Sequence, residues 1–241
     1  MRRLPVLPIV LAVLATACGR APSVSGASPP EYIENRGSDT IVNLALAWAE
    51  RYQEIEPQVR ISVSGGGSGV GITALLNGTV DIANASRQIK PEEQEWAEEQ
   101  GLRPVEFVIA RDAIAVIVHP DNPIERLTLW QLSEIYSGRI NNWSEVGGED
   151  RPIVRLSRET NSGTHVYFLE TVLRLGDSDS DRLFSTDTLL LPSSEGIVHE
   201  VRQNPNAIGY DGLGYVPPDL KMIAGAGDER GPFVLPSAAT V

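Results

Sequence analysis

Val59-Arg60-Ile61-Ser62-Val63-Ser64 runs directly into Gly65-Gly66-Gly67-Ser68-Gly69-Val70-Gly71, and from there into Ile72-Thr73-Ala74-Leu75-Leu76 before Asn77-Gly78. The first six residues alternate apolar and polar, which predicts a strand with one buried face. The five after the glycines predict a buried helix that Asn-Gly stops. A strand that turns on glycine into a helix is the building unit of an α/β fold. Two other turns of the same kind flank it. Upstream, Gly37-Ser38-Asp39-Thr40 precedes Ile41, Leu44, Ala45, Trp48, Ala49 and Tyr52, which recur at helical spacing. Asp39 or Thr40 is placed to cap that helix. Downstream, Asn161-Ser162-Gly163-Thr164 opens a helix through His165, Phe168, Leu169, Val172 and Leu173.

The rest of the chain alternates in the same way. Short strands are expected at Asp81–Ala85 and Ile153–Ser157, and after Asn204-Pro205-Asn206 at Ala207–Tyr210. Val105–Ile109 and Ala113–Val118 are apolar and β-branched, which predicts two buried strands. Pro91–Gln100, Thr128–Tyr136 and Ser194–Gln203 predict helices, the first of them exposed. Two lobes are expected, one of residues 32–111 with 208–241, the other of residues 112–207.

Each of the three turns leaves helix-start N–H groups without intrahelical partners. Glycine allows close approach, and Ser and Thr add hydroxyls, so each turn is half a cage for an anion. Arg158, at a strand end four residues before Ser162, can grip two oxygens of an oxyanion with its planar fork. Arg87, after Ala85-Ser86, stands in a similar position.

Several function classes are excluded. The glycine run lacks the Gly-Lys-Ser/Thr ending of a P-loop, and no acidic residue ends a following strand as in a dinucleotide site. Ser162 and His165 lie on one helix start without a nucleophile turn or an orienting acid, so no enzyme is expected. His119, His165 and His199 have no metal spacing, and neither metal nor cofactor is expected. The net charge of −12, from 32 acidic and 20 basic residues, repels nucleic acid. It does not forbid a small anion held at contact distance, because the long-range field is screened within roughly 10 Å.

The beginning of the chain is expected to be a secretory leader. Arg2 and Arg3 precede apolar Leu4–Ala17, which is shorter than the ~20 residues of a spanning helix. Leu14-Ala15-Thr16-Ala17-Cys18-Gly19 resembles a bacterial lipobox and contains the one cysteine of the chain. Residues 1–18 are therefore expected to be a lipoprotein signal with acylated Cys18, and 19–31 a flexible Gly/Pro/Ser/Ala tether. The expected location is extracytoplasmic, lipid-anchored to the bacterial cell membrane.

From Gly37 to Ser237 the chain resembles the periplasmic phosphate-binding proteins of bacterial ABC transporters. The resemblance is carried by Gly37-Ser38-Asp39-Thr40, by Gly67-Ser68-Gly69, and by Arg158 with Ser162-Gly163-Thr164. Gly138–Gly148, with Asn141-Asn142-Trp143, and Ala207-Ile208-Gly209-Tyr210 add to it. It implies a type 2 periplasmic-binding fold, two lobes around a cleft, acting as a monomer. The ligand would be inorganic phosphate, delivered to an ABC permease and its ATPase. It would be held by Thr40, Ser68, Ser86, Arg87, Arg158, Ser162, Gly163 and Thr164. One departure stands out: Ser86 occupies a place where family members carry an aspartate that accepts the phosphate proton. Asp39 is the nearest candidate replacement. Sulfate, molybdate or another oxyanion remains the alternative ligand, and a phosphate sensor or adhesin without a transport role the alternative function. The resemblance also leads one to expect further residues after Val241.

Overall fold

The computed structural model describes residues 31–240, so the expected lipoprotein signal, Cys18 and the expected tether up to residue 30 lie outside the described residues. Two sheets form two lobes. The first lobe has strands β1 (Glu31–Gly37), β2 (Val59–Ser64) and β3 (Ile82–Asn84), all parallel, in the order β2-β1-β3. Helices α1 (Asp39–Ile55), α2 (Ser68–Leu76) and α3 (Pro91–Glu99) accompany them. The glycine-rich stretch therefore forms the strand–turn–helix unit that its pattern predicts. Its core is small: Ile72, Leu76 and Ala97, backed by Trp96, Ile89 and Leu102.

The second lobe is a mixed six-stranded sheet, in the order β5-β9-β4-β8-β6-β7. Its strands are β4 (Ile114–Val118), β5 (Arg126–Thr128), β6 (Val154–Arg158), β7 (Leu189–Leu191), β8 (Ala207–Gly212) and β9 (Lys221–Ala226). Helices α4 (Leu129–Tyr136), α5 (Gly163–Phe168) and α6 (Ser194–Gln203) pack on it, and α5 widens into one π turn over Leu169–Leu173. One core cluster joins Trp143, Tyr136, Phe168 and Tyr210, with the last two rings stacked 3.7 Å apart. A second joins Leu156, Ile117, Ile197 and Val201.

Two expectations are corrected. Strands β8 and β9 do not return to the first lobe's sheet: β8 pairs antiparallel with β4 from Ile114↔Gly212 to Val118↔Ile208, and β9 pairs with the other edge of β4. Strand β4 is apolar on both faces and needs both neighbours, and the tail supplies them. The second correction is Val105–Ile109, which forms no strand; Phe107 and Val108 are each 79% exposed. β-propensity describes a fit to a paired surface, and here no described strand pairs with this run. At Val234 the chain makes an isolated antiparallel bridge to Gly225 of β9.

The segment singled out at Gly138–Gly148 is a structural lock. Asn142 accepts from Ser144 N at 2.9 Å and caps a turn of 3-10 helix. Buried Trp143 donates through Nε1 to the Asn206 carbonyl at 3.1 Å. Buried Arg155 reaches Ile140 O from the sheet at 2.8 Å.

Candidate functional site

The three glycine-containing turns meet at the face between the lobes. Ser38, not Asp39 or Thr40, holds the N-cap position of α1; it is buried, and its Oγ lies 2.7 Å from Thr40 Oγ1. Helix α2 starts with fully buried Ser68, whose Oγ accepts from Ser86 N at 3.0 Å and lies 3.2 Å from Ser86 Oγ. Helix α5 starts on Ser162, and Ser162, Gly163 and Thr164 are all buried.

Two glycines set how closely these starts approach. A Cβ at Gly163 would stand 2.4 Å from Ser86 Oγ and 2.6 Å from Ser68 Oγ, so α5 begins directly against the two serines. Gly67 has φ 89°, in the left-handed region, and a Cβ there would stand 2.9 Å from the Asn161 carbonyl oxygen. The contact is completed by hydrogen bonds between the lobes. Gly69 N donates to Asn161 O at 3.0 Å, and Asn161 Nδ2 donates to Gly66 O at 3.0 Å.

Arg158, at the end of β6, is 1% exposed. Its Nη1 donates to Ser194 Oγ at 2.9 Å and its Nη2 to Pro192 O at 3.0 Å. Nη2 also donates to Asp39 Oδ2 at 2.7 Å, across to the first lobe. The other Asp39 oxygen accepts from Gly66 N at 3.0 Å, and the Asp39 carbonyl accepts from Tyr215 Oη at 2.6 Å. Asp39 therefore joins the starts of α1 and α2 to the arginine of the opposite lobe. Behind Arg158, fully buried Asp211 accepts from Ser194 Oγ at 2.9 Å and from Gly212 N at 2.7 Å. Burial pushes the Asp211 carboxyl up to about 6, against the pull of the Arg158 guanidinium.

Thr40, Ser68, Ser86, Arg158, Ser162, Gly163 and Thr164 thus lie on helix or strand ends that come together. Arg87 is held differently. Glu93 grips its fork at 2.8 and 2.7 Å, and it lines an open pocket of about 580 Å³ beside the site, with Arg36, Lys90, Thr73 and Asn161. Burial raises the Glu93 carboxyl, but the Arg87 fork and the Lys90 amide outweigh this and hold it below the usual carboxylate range. His165 Nδ1 lies 3.0 Å from Ser157 Oγ, and stacks on Phe184, so it braces α5 from below. Burial lowers its pKa. Ser194, Asp211 and the clasp made by Asn161 were not singled out by sequence reasoning. The sequence shows only that Asp211 directly follows the apolar run Ala207–Tyr210; its burial appears in the structure, where β8 extends to Gly212.

Such an arrangement can enclose a small anion. It offers hydroxyls, helix-start amides and one guanidinium, in a place that two lobes close off. The fold and the site define a two-lobed solute-binding protein. The chain belongs to the PBP superfamily, whose domain matches residues 24–241. It is 33% identical to the phosphate-binding protein PstS of Pseudomonas aeruginosa, over 95% of this chain and 76% of that one. It is 30% identical to the protein SphX of Synechococcus elongatus, over 97% and 70%. Among solved structures, a Clostridium perfringens ABC transporter substrate-binding protein with bound phosphate matches with a TM-score of 0.73 and 36% identity, over 83% of this chain and 77% of that one. An ABC-type phosphate transport receptor from Vibrio cholerae matches with a TM-score of 0.62 and 30% identity, over 84% and 78%.

Proposed function

We propose that the chain is the extracytoplasmic solute-binding component of an ABC importer and that its solute is inorganic phosphate. The observation that carries this reading is the meeting of three helix starts and the Arg158 fork at one face between the lobes. The relatives named for phosphate support the choice of ligand. Thr40, Ser68, Ser86, Ser162, Gly163 and Thr164 supply neutral donors, and Arg158 supplies the charge. Arg87 acts from the rim, where it lines the neighbouring pocket and Glu93 holds its fork. The partners are a permease and its ATPase, the protein is a monomer, and acylated Cys18 anchors it to the cell membrane. No catalytic step is proposed.

Asp39 takes the place of the aspartate missing at Ser86. Its carboxylate lies beside Arg158 and keeps lone pairs free to accept the proton of a partly protonated phosphate. A fully ionised sulfate brings no such proton and meets a like charge. Calorimetry with phosphate, sulfate and molybdate tests this. Phosphate is expected to bind at least 100-fold more tightly than the other two, and Asp39→Asn to shrink the preference over sulfate about tenfold. Equal binding of phosphate and sulfate by the unaltered protein contradicts the reading.

A further inference from the structure

The bonds of the Arg158 guanidinium fall into two groups. Toward its own lobe it has Leu191 O at 3.4 Å from Nε, Ser194 Oγ at 2.9 Å from Nη1, and Pro192 O at 3.0 Å from Nη2. Toward the opposite lobe it makes one bond, from Nη2 to Asp39. The first group fixes the plane of the fork, and the second marks the direction in which it faces the cleft.

Ser194 is the first residue of α6 and Asp211 lies on β8, the sheet neighbour of β6. Both are buried, and their side-chain hydrogen bonds go to Arg158, to Gly212 N and to each other, all within the second lobe. A serine hydroxyl has one proton. Ser194 gives it to Asp211 Oδ1 at 2.9 Å, and an ionised carboxylate can only accept. The lone pairs of Ser194 are therefore the part left for Arg158, and the chain runs one way, from Arg158 to Ser194 to Asp211. The Gly212 amide holds the same Asp211 oxygen, at 2.7 Å. Asp211 Oδ2 has no hydrogen-bond partner and lies 3.9 Å from Arg158 Nη1.

A buried carboxylate oxygen left without a bond is costly, and an apolar residue at that place would pack more cheaply. What the carboxylate provides is orientation. We infer that Ser194 and Asp211 are positioning residues of the anion site: they lock the Arg158 fork so that one Nη2 proton points into the cleft. This inference rests on the phosphate reading above and deepens it. Ser194 and Asp211 act only through the arginine.

The test is phosphate affinity, by calorimetry, in five proteins: unaltered, Ser194→Ala, Ser194→Thr, Arg158→Lys, and Arg158→Lys combined with Ser194→Ala, the last two titrated into the millimolar range. Ser194→Ala is expected to weaken binding about tenfold, and Ser194→Thr, which keeps the hydroxyl, to bind within threefold of the unaltered protein. On the Arg158→Lys background, Ser194→Ala is expected to change nothing further, because the fork it positions is gone. Where the alanine variant does not fold, as judged by circular dichroism, Ser194→Cys fills the space with a poorer acceptor and is expected to show the same loss. Affinity within twofold of the unaltered protein in Ser194→Ala, or an equal loss on both backgrounds, overturns the positioning role. Failure of the unaltered protein to bind phosphate is a different outcome and defeats the phosphate reading itself.

Discussion

The two lobes meet the anion site with unequal means. The first has a three-stranded sheet over a core of Ile72, Leu76 and Ala97, and it leaves Leu44, Trp48, Tyr52 and Ile55 of α1 at 40–62% exposure. The second has a six-stranded sheet with two core clusters, and its arginine is held by buried Ser194 and Asp211. The charged half of the site therefore stands on the thicker base, and the hydroxyls of α1 and α2 on the thinner one. Local stability follows buried apolar contact, so the first lobe should open more readily than the second.

Truncating the core sharpens this contrast most. Leu156→Ala removes a fully buried side chain from β6, and it should cost about 2–5 kcal/mol in denaturant unfolding. Leu44→Ala, on the exposed stripe of α1, should stay within about 0.5 kcal/mol. Equal costs would dissolve the difference between the lobes. Where the lobes touch, Gly163→Ala should weaken phosphate binding at least tenfold, since its methyl would meet Ser68 and Ser86 at 2.6 and 2.4 Å. Unchanged affinity would mean that the two lobes do not close on these serines.

A smaller effect belongs to Asp211. Its carboxyl is raised to about 6 in the folded chain, above its ordinary value near 3.8, so the folded state binds the proton more readily than the unfolded state. The charged carboxylate therefore weakens the fold above pH 6, and this is relieved as pH falls from 7 towards 5. Relative to Asp211→Asn, the unaltered protein should gain about 1 kcal/mol between pH 7 and pH 5. A stability gap that stays constant across this window would remove Asp211 from the account.

The parts of this picture that lie close together in sequence were legible there. Gly37–Thr40, Gly65–Gly71 and Asn161–Thr164 each announce a helix start through residue type alone, and β2 keeps the bounds its alternation predicts. What was lost depends on distant partners. Val105–Ile109 has the composition of a strand, but a strand also needs a neighbour, and composition does not name one. The placement of β8 and β9 in the second sheet follows from pairing with β4, roughly a hundred residues away, which no local pattern encodes. Arg87 is the intermediate case: its place after β3 points to the anion, and Glu92 and Glu93 nearby in sequence point to an ion pair, which the turn that brings α3 back over it makes with Glu93. Ser194 lies in an ordinary helix start, so only its contact with Arg158 sets it apart.

Arg158 is the most direct place to test the whole account, though not as alanine. Removing the guanidinium would leave Asp211 buried without a counter-charge, at a cost of about 3–5 kcal/mol to the fold. Arg158→Lys keeps the charge and removes only the fork. Calorimetric titration of this variant with phosphate should show affinity at least 100-fold below that of the unaltered protein, with its thermal unfolding still cooperative. A folded Arg158→Lys variant that binds phosphate as tightly as the unaltered protein would contradict a guanidinium-centred site between the lobes.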